Sequence, residues 1–336
     1  MNTKNYFKIL SIFAILFCWA EKTDAATIYD NKATAVNINM LTDTFVSYTH
    51  YGDKTSDLFK SKALYGKMTR VDEYGDNGST LKTFNGKNQN NDFWIDNVWA
   101  NGEHINGRLH YNKMDTHGRF YLASVGATTK SLDIKYGNLY FGGFGGYIHS
   151  KVSSITSNGD FAGLFAHYDF KRFGTTLLTD IGSLNNNSGQ SEFSNSWVNI
   201  ANEASVKIYL DETFIIKPML NIAYTFVSSD DLYVNSNVVK SKNFHFYDIT
   251  PSIQLIKEIS SNWYGTLSAK YVSHCGGSSN VIVNNTRVGN LRIDDHTDIG
   301  IDIEHNFKQF VFGGKIHKQI GGFDGISGEI NVKYVF

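Results

Sequence analysis

The chain has 336 residues, with 31 Lys and Arg against 32 Asp and Glu. This near-neutral balance excludes the basic excess that a nucleic-acid-binding protein normally carries. Two cysteines are too few for a disulfide-stabilised scaffold or for a zinc site made of four cysteines. Thirty glycines, 2 prolines and an aromatic fraction of 14% are typical of an all-β protein.

Residues 1–25 have the features of a cleavable export signal. Two lysines precede a 12-residue apolar run, Ile9–Ala20, and the small-residue site Thr23-Asp24-Ala25 predicts Ala26 as the first mature residue. The run is too short for a transmembrane helix, which needs about 20 apolar residues. The sequence therefore predicts an exported protein.

Apolar and polar residues alternate along much of the C-terminal half. In the stretch 297–307, Ile299, Ile301 and Ile303 alternate with Asp298 and Asp302, and similar patterns recur at 214–226, 247–255 and 326–336. An exported chain can cross a membrane as a closed β-barrel, whose strands have one apolar and one polar face. A soluble β-sandwich alternates in the same way, so the pattern alone does not decide between them.

Three further features favour the membrane barrel. The apolar faces begin and end in aromatic residues, as interfacial girdles require, and the candidate girdle residues are Trp94, Trp99, Trp263 and Tyr224. Short turns at 171–174 and 306–309 alternate with long polar connections at 183–194 and 228–243. The inward face carries more charge than a sealed core tolerates, and a wet lumen would solvate it; the predicted lumen-facing charges are Lys217, Asp302, Glu304, Glu329 and Lys333.

The alternating segments predict an antiparallel barrel of about 12 strands, an even number as in bacterial single-chain barrels. The predicted segments are 92–102, part of 118–136, 138–152, 159–171, 173–183, 196–210, 213–227, 245–257, 262–274, 293–307, 308–319 and 323–336. The segment 103–116 fits either a loop or an extra strand, so ten or fourteen strands remain alternatives.

The order of these segments resembles the translocator barrel of autotransporters, the type V secretion family. The resemblance covers 92–336 and rests on "FWIDNVWANG" at the start, the glycine-rich "LDIKYGNLYFGGFGGY" and "GDFAGLFAHYDF", the proline-containing "FIIKPMLNIAYTFV", and the aromatic C-terminus "ISGEINVKYVF". It implies an outer-membrane location and contact with outer-membrane lipid, periplasmic chaperones and the barrel-assembly machinery. Outward residues of the last strand would form the assembly signal: Val332, Tyr334 and Phe336.

Residues 26–91 stand where the family carries its secreted passenger. Residues 57–71 could form a helix with Leu64, Met68 and Val71 on one face and basic residues elsewhere, and 72–91 has the composition of a linker. The resemblance implies that such a helix would thread the lumen, with its basic side chains near Asp302, Glu304 and Glu329. A flexible tail that contains a short surface helix is the alternative.

No catalytic or cofactor-binding motif stands out. Asp295 and His296 are adjacent on a strand and would point to opposite faces, so a polar turn fits them better than a hydrolytic pair. His274 and Cys275 diverge in the same way and make a poor metal site. We expect no enzymatic activity, no cofactor or metal, no nucleic-acid partner, and a monomer, because a closed barrel leaves no open edge.

Two functions fit these features. In the first, the barrel translocates or displays its short N-terminal segment at the cell surface. In the second, it is a passive porin-like, structural or adhesin-like barrel without a working passenger.

Overall fold

The computed structural model describes residues 94–336, except 112–113, 135–136, 153–154, 188–191, 212, 230–231, 235–236, 242, 276–280, 284–285 and 290–294. The predicted export signal and the predicted helix at 57–71 lie outside the described residues. In the described part, no helix has the length and apolar character that crossing a membrane would require.

A closed antiparallel barrel of 12 strands makes up the fold, as predicted. Numbered along the chain, the strands are β1 Ile95–Tyr111, β2 Met114–Thr129, β3 Gly137–Val152, β4 Ile155–Phe170, β5 Phe173–Asn187, β6 Glu192–Val206, β7 Phe214–Ser229, β8 Phe244–Ser260, β9 Trp263–Cys275, β10 His296–Phe307, β11 Phe310–Gly321 and β12 Phe323–Val335.

The barrel closes because its last strand pairs with its first. β12 and β1 pair from Asn97 opposite Val335 to Leu109 opposite Phe323, and the Phe336 N–H donates to the Asp96 carbonyl over 3.0 Å. Every other barrel strand pairs with its neighbours in sequence. With an even number of strands, both ends of the barrel chain lie at the same end of the cylinder.

Side chains alternate inward and outward because successive Cβ atoms of a strand point to opposite faces. On β10, Ile299, Ile301 and Ile303 are exposed on the outer wall, whereas Asp298 and Asp302 are buried inside. The same alternation on β7, β8 and β12 agrees with the sequence pattern. On these strands the outer wall is therefore apolar, as a membrane barrel requires.

Tight turns occupy the end of the barrel at which the chain enters and leaves. Two-residue turns at 171–172, 261–262 and 308–309 contain Lys171, Asn262 and Lys308 with positive φ values of 53°, 69° and 54°. This is the left-handed backbone that tight hairpins use. The predicted short turns at 171–174 and 306–309 are confirmed; we call this side of the molecule the short-turn end.

The opposite end, which we call the loop end, differs from the prediction in two places. The stretch 183–194 is mostly strand, because β5 runs to Asn187 and β6 starts at Glu192. The stretch 228–243 contains two short strands, and these join two more from the connection between β9 and β10. Together they form a four-stranded sheet outside the barrel: Leu232–Val234, Asn237–Ser241, Val281–Val283 and Thr286–Gly289.

The segment 103–116 is neither a loop nor an extra strand. It completes β1, which runs to Tyr111, and starts β2 at Met114. The alternation concealed it, because His104, Asn106 and Arg108 are exposed on the outer wall whereas Ile105 is buried inside, the reverse of the pattern on the other strands.

Candidate functional site: the barrel lumen

Two groups of side chains stand out on the inner wall, and we call them the polar arc and the apolar arc. They overlap, because the strands of the apolar arc also bury the inward-facing carboxylates Asp169, Asp180 and Glu203. The polar arc lies mainly on β7–β12 and carries buried side chains of both charges: Lys217, Asp248, Asp298, Asp302, Glu304, Lys315 and Glu329. The apolar arc lies on β3–β7 and consists of Phe144, Ile148, Phe161, Phe165, Leu178, Leu184, Trp197, Ala201, Ala223 and Val227.

Ion pairs run around the polar arc from strand to strand. The strand register places Asp302, Lys315 and Glu329 side by side on β10, β11 and β12. The Lys315 ammonium lies 2.9 Å from a Glu329 carboxylate oxygen. Such charge-assisted contacts compensate part of the cost of removing these groups from water.

His317 joins the two carboxylates of β10. Its Nδ1 lies 2.7 Å from Asp298 Oδ1 and its Nε2 lies 3.1 Å from Asp302 Oδ1. The second Asp298 oxygen accepts a hydrogen bond of 3.3 Å from the Gln319 amide and lies 3.7 Å from the Lys270 ammonium. The polar arc is therefore a connected network across β9, β10 and β11.

All five charges predicted to face the lumen do so. Lys217, Asp302, Glu304 and Glu329 have exposed fractions of 0%, 1%, 3% and 7%. Lys333 lies half-buried on the inner face of β12. Their burial shows that these side chains are enclosed by protein atoms.

Large side chains of the apolar arc pack over glycines on adjacent strands. A Cβ at Gly182 would lie 2.1 Å from the Trp197 indole, and one at Gly142 would lie 2.1 Å from the Phe165 ring. Gly163 stands in the same relation to Phe144, at 2.2 Å. Since real Cβ atoms do not approach this closely, the glycine-rich strands β3 and β4 are shaped to receive the rings of their neighbours.

The prediction that Trp99 belongs to an interfacial girdle is wrong. Trp99 faces inward, packs against the apolar arc, and covers Gly126. The alternation of β1 explains this, because Asn97 and Asn101, which share its parity, are buried inside. Sequence reasoning also missed the apolar arc itself, since periodicity does not tell which parity of a strand faces the lumen when both faces are apolar.

The other predicted girdle residues lie on the outer wall. Trp94 is exposed at the short-turn end, and Trp263 stacks on His305 with ring centroids 4.3 Å apart. Tyr224 packs beside Tyr247 at 4.9 Å. Aromatic side chains on an outer wall are suited to the boundary between lipid and water.

The predicted assembly-signal residues also face outward. Val332 and Tyr334 lie on the outer face of β12, and Phe336 directly follows the end of that strand. The Tyr334 ring makes edge contacts with Phe310 at 5.1 Å and with Phe336 at 5.0 Å. The final strand therefore presents an aromatic edge at the short-turn end.

Asp295 links β9 to the start of β10 at the loop end and does not form a reactive pair with His296. Its carboxylate accepts hydrogen bonds from the Tyr271 hydroxyl at 2.8 Å and from the His274 N–H at 3.0 Å. The His274 Nδ1 lies 2.6 Å from Asp248 Oδ1, and the Cys275 sulfur lies 3.7 Å from the Ser273 hydroxyl. Across the described ranges, no three His, Cys, Asp or Glu side chains are grouped so that they could hold a metal ion.

Comparison with known proteins points to one family. The sequence model of one protein family, the autotransporter beta-domain, matches residues 98–315. No curated protein sequence matches the chain significantly.

Solved structures share the architecture at low sequence identity. The transport unit of the autotransporter AIDA-I from Escherichia coli is 15% identical, with a TM-score of 0.60 over 76% of this chain and 94% of that one. The translocator domain of the autotransporter NalP from Neisseria meningitidis is 13% identical, with a TM-score of 0.58 over 84% and 98%. The beta domain of the Bordetella autotransporter BrkA is 12% identical, with a TM-score of 0.57 over 72% and 100%.

Proposed function

The chain belongs to the autotransporter beta-domain family, and we propose that its barrel translocates or displays its own N-terminal segment across the outer membrane. In this proposal residues 1–25 direct export and are removed. The short-turn end faces the periplasm and the loop end faces the outside.

One observation carries the proposal. Asp96 at the start of β1 is hydrogen-bonded to Phe336 at the C-terminus, so the chain enters the barrel wall at the short-turn end. Residues that precede Trp94 can reach the loop end only through the lumen or around the wall. A membrane blocks the second route, because an unpaired backbone is costly in lipid. The lumen is the remaining path.

The two arcs of the inner wall suit a polypeptide with two faces. The predicted helix at 57–71 combines an apolar face with lysines and an arginine. Aromatic rings of the apolar arc would receive the apolar face, and carboxylates of the polar arc would attract the basic one. Asp302 and Glu329 lie on the two strands that flank the strand of Lys315. They are the acids that we expect the basic side chains of the helix to approach.

Insertion would start from the last strand. Before the barrel closes, β12 has an unpaired edge, and the assembly machinery could pair with it by strand addition. Backbone pairing would give affinity, while Val332, Tyr334 and Phe336 on the outer face would give specificity. Once the assembly machinery has released the strand, Tyr334 would make its ring contacts with Phe310 and Phe336.

Surface labelling of intact cells tests the proposal. An epitope tag placed after Ala26 should be labelled and removed by added protease. The same tag in the 188–191 connection at the loop end should be exposed, and a tag in the 171–172 turn should be protected. If the two barrel tags behave as expected while the N-terminal tag is protected, the orientation is right and translocation is wrong.

A second candidate function is a structural or adhesin-like barrel without a translocated segment. The four-stranded sheet at the loop end favours it, because two connections pair with each other and would form an ordered surface outside the cell. In this case the N-terminal tag would be protected. Deletion of 232–241 and 281–289 would reduce cell-surface attachment without affecting insertion.

A further inference from the structure

The outer wall of the barrel carries three cations that lie in one register row close to the loop end. Lys318 on β11, Arg119 on β2 and Lys151 on β3 are all exposed on the outward parity of their strands. The row runs Lys318, Ile326, Asn106, Arg119, Lys151 across the seam between β12 and β1. At the usual spacing of neighbouring strands, Lys318 and Arg119 are about 14 Å apart.

Arg119 and Lys151 stand directly opposite each other, and like charges in this position destabilise a sheet. Within the residues that the structure describes, none of the three cations forms an ion pair with a carboxylate. Asp324, the outward acid two residues from Ile326 along β12, accepts the Gly321 N–H at 3.1 Å. Asp160 lies four residues along β4 from Thr156, the partner of Lys151. An external anion would relieve the repulsion.

An apolar groove lies directly beside this row, toward the middle of the wall. It has a volume of about 940 Å³ and is bordered by Ile316, Ile330, Tyr121 and Tyr147. Its floor is formed by glycines, of which Gly102 and Gly328 would have no atom within 4 Å of an added Cβ. Neither packing nor a positive φ requires glycine there, so the missing side chains serve to keep the groove open.

Aromatic and imidazole rings line the boundary between the cations and the groove. His104 stacks on Tyr121 with ring centroids 4.4 Å apart, and His149 packs against the other side of Tyr121 at 5.8 Å. The Tyr147 hydroxyl donates to Asn158 at 2.8 Å. Such rings, apolar in the body and polar at the tip, are suited to the level of lipid headgroups.

From this arrangement we infer that the barrel binds a phosphorylated saccharolipid of the outer leaflet. Arg119, Lys151 and Lys318 would hold the phosphates, and an acyl chain would lie in the groove over Gly102 and Gly328. Guanidinium and ammonium groups beside an apolar surface are the usual receptor for an anionic lipid headgroup. The inference depends on the proposed orientation, in which the loop end faces outside, but not on translocation.

The test uses the full chain refolded into detergent micelles free of bacterial lipid. Native mass spectrometry would measure binding of lipid A with two phosphates, lipid A without phosphates, phosphatidylglycerol, and inorganic phosphate. We expect the phosphorylated lipid A to bind at least tenfold more tightly than each of the other three.

Matched variants locate the site. Arg119→Gln with Lys151→Gln should abolish the preference for phosphate, whereas Lys171→Gln with Arg172→Gln, an equal charge loss at the short-turn end, should retain it. Gly328→Leu should fill the groove and weaken lipid A binding while all three cations remain. Unheated gel mobility would confirm that each variant is folded.

If the two double variants bound phosphorylated lipid A with equal affinity, the inference would be overturned. Equal binding of phosphatidylglycerol would reduce the site to a general anionic-lipid surface, and competition by inorganic phosphate at similar concentrations would reduce it to an anion site without a groove; each result also overturns it. Since the assay measures lipid binding alone, its outcome is independent of whether the N-terminal tag is translocated.

Discussion

Replacing Ile301 by Lys tests the assignment of the outer wall to lipid. Ile301 is near the middle of β10, is 57% exposed, and has Leu267 and Ile316 as its register partners, both apolar and exposed. A lysine there would have no polar neighbour within the row. Such a charge at the midplane of a bilayer costs about 2–4 kcal/mol in a β-barrel. The free energy of unfolding should fall by that amount.

The matched control is Ile259→Lys, the same substitution at an exposed outward isoleucine one residue before the short-turn end of β8. There the ammonium can reach the interface, and the expected cost is about 0–1 kcal/mol. Guanidinium titration of barrels folded in lipid vesicles, followed by tryptophan fluorescence, would give both values. In detergent micelles the difference should shrink. Equal costs for the two variants in vesicles would refute the placement of the bilayer on this wall.

Three other predictions concern packing, assembly and a turn. Gly182→Val should destabilise the barrel by about 1–3 kcal/mol, because its Cβ would lie 2.1 Å from the Trp197 indole, whereas Gly328→Val meets no atom within 4 Å and should be neutral by melting temperature. Deleting Phe336 should reduce insertion in cells, measured by membrane fractionation, but not refolding in vitro. In the turn before β7, the Thr213 backbone N–H and hydroxyl donate hydrogen bonds to Asp211. These bonds hold the pKa of Asp211 below its ordinary value of 3.8. The ionised Asp211 carboxylate should therefore stabilise the fold above pH 3.8, and this contribution should vanish as the pH falls through the lowered pKa. The unfolding midpoints of the unmodified chain and of Asp211→Asn should accordingly differ above pH 3.8 and converge in acid.

The alternation of residues was sufficient to place most side chains inside or outside. On β10 and β12 one parity is charged and the other aliphatic, so Asp302 and Ile301 could be assigned without knowledge of their neighbours. The period of a strand is a local property of the backbone, and the sequence reports it directly. The alternating segments also gave a count of about 12 strands, although the segment 103–116 left ten or fourteen as alternatives, and the tight turns at 171–172 and 308–309 lie where the alternation is interrupted.

Where both parities are apolar, local periodicity fails. On β1, Trp99 alternates with Val98 and Ala100, and only the register with β2 shows that the indole lies inside over Gly126. The contact between Gly182 and Trp197 joins β5 to β6 across a hairpin whose register depends on the whole ladder. A prediction from sequence therefore placed Trp99 in the wrong layer.

By itself the sequence determined that this chain forms alternating strands with a polar and an apolar face, because that pattern depends only on the two-residue period. Closure of β12 on β1, the clustering of apolar side chains on one part of the inner wall, and the row of Lys318, Arg119 and Lys151 were decided by the tertiary structure. These features join residues that are far apart along the chain. Their positions depend on the stagger between strands, which is set by the pairing of all the strands together.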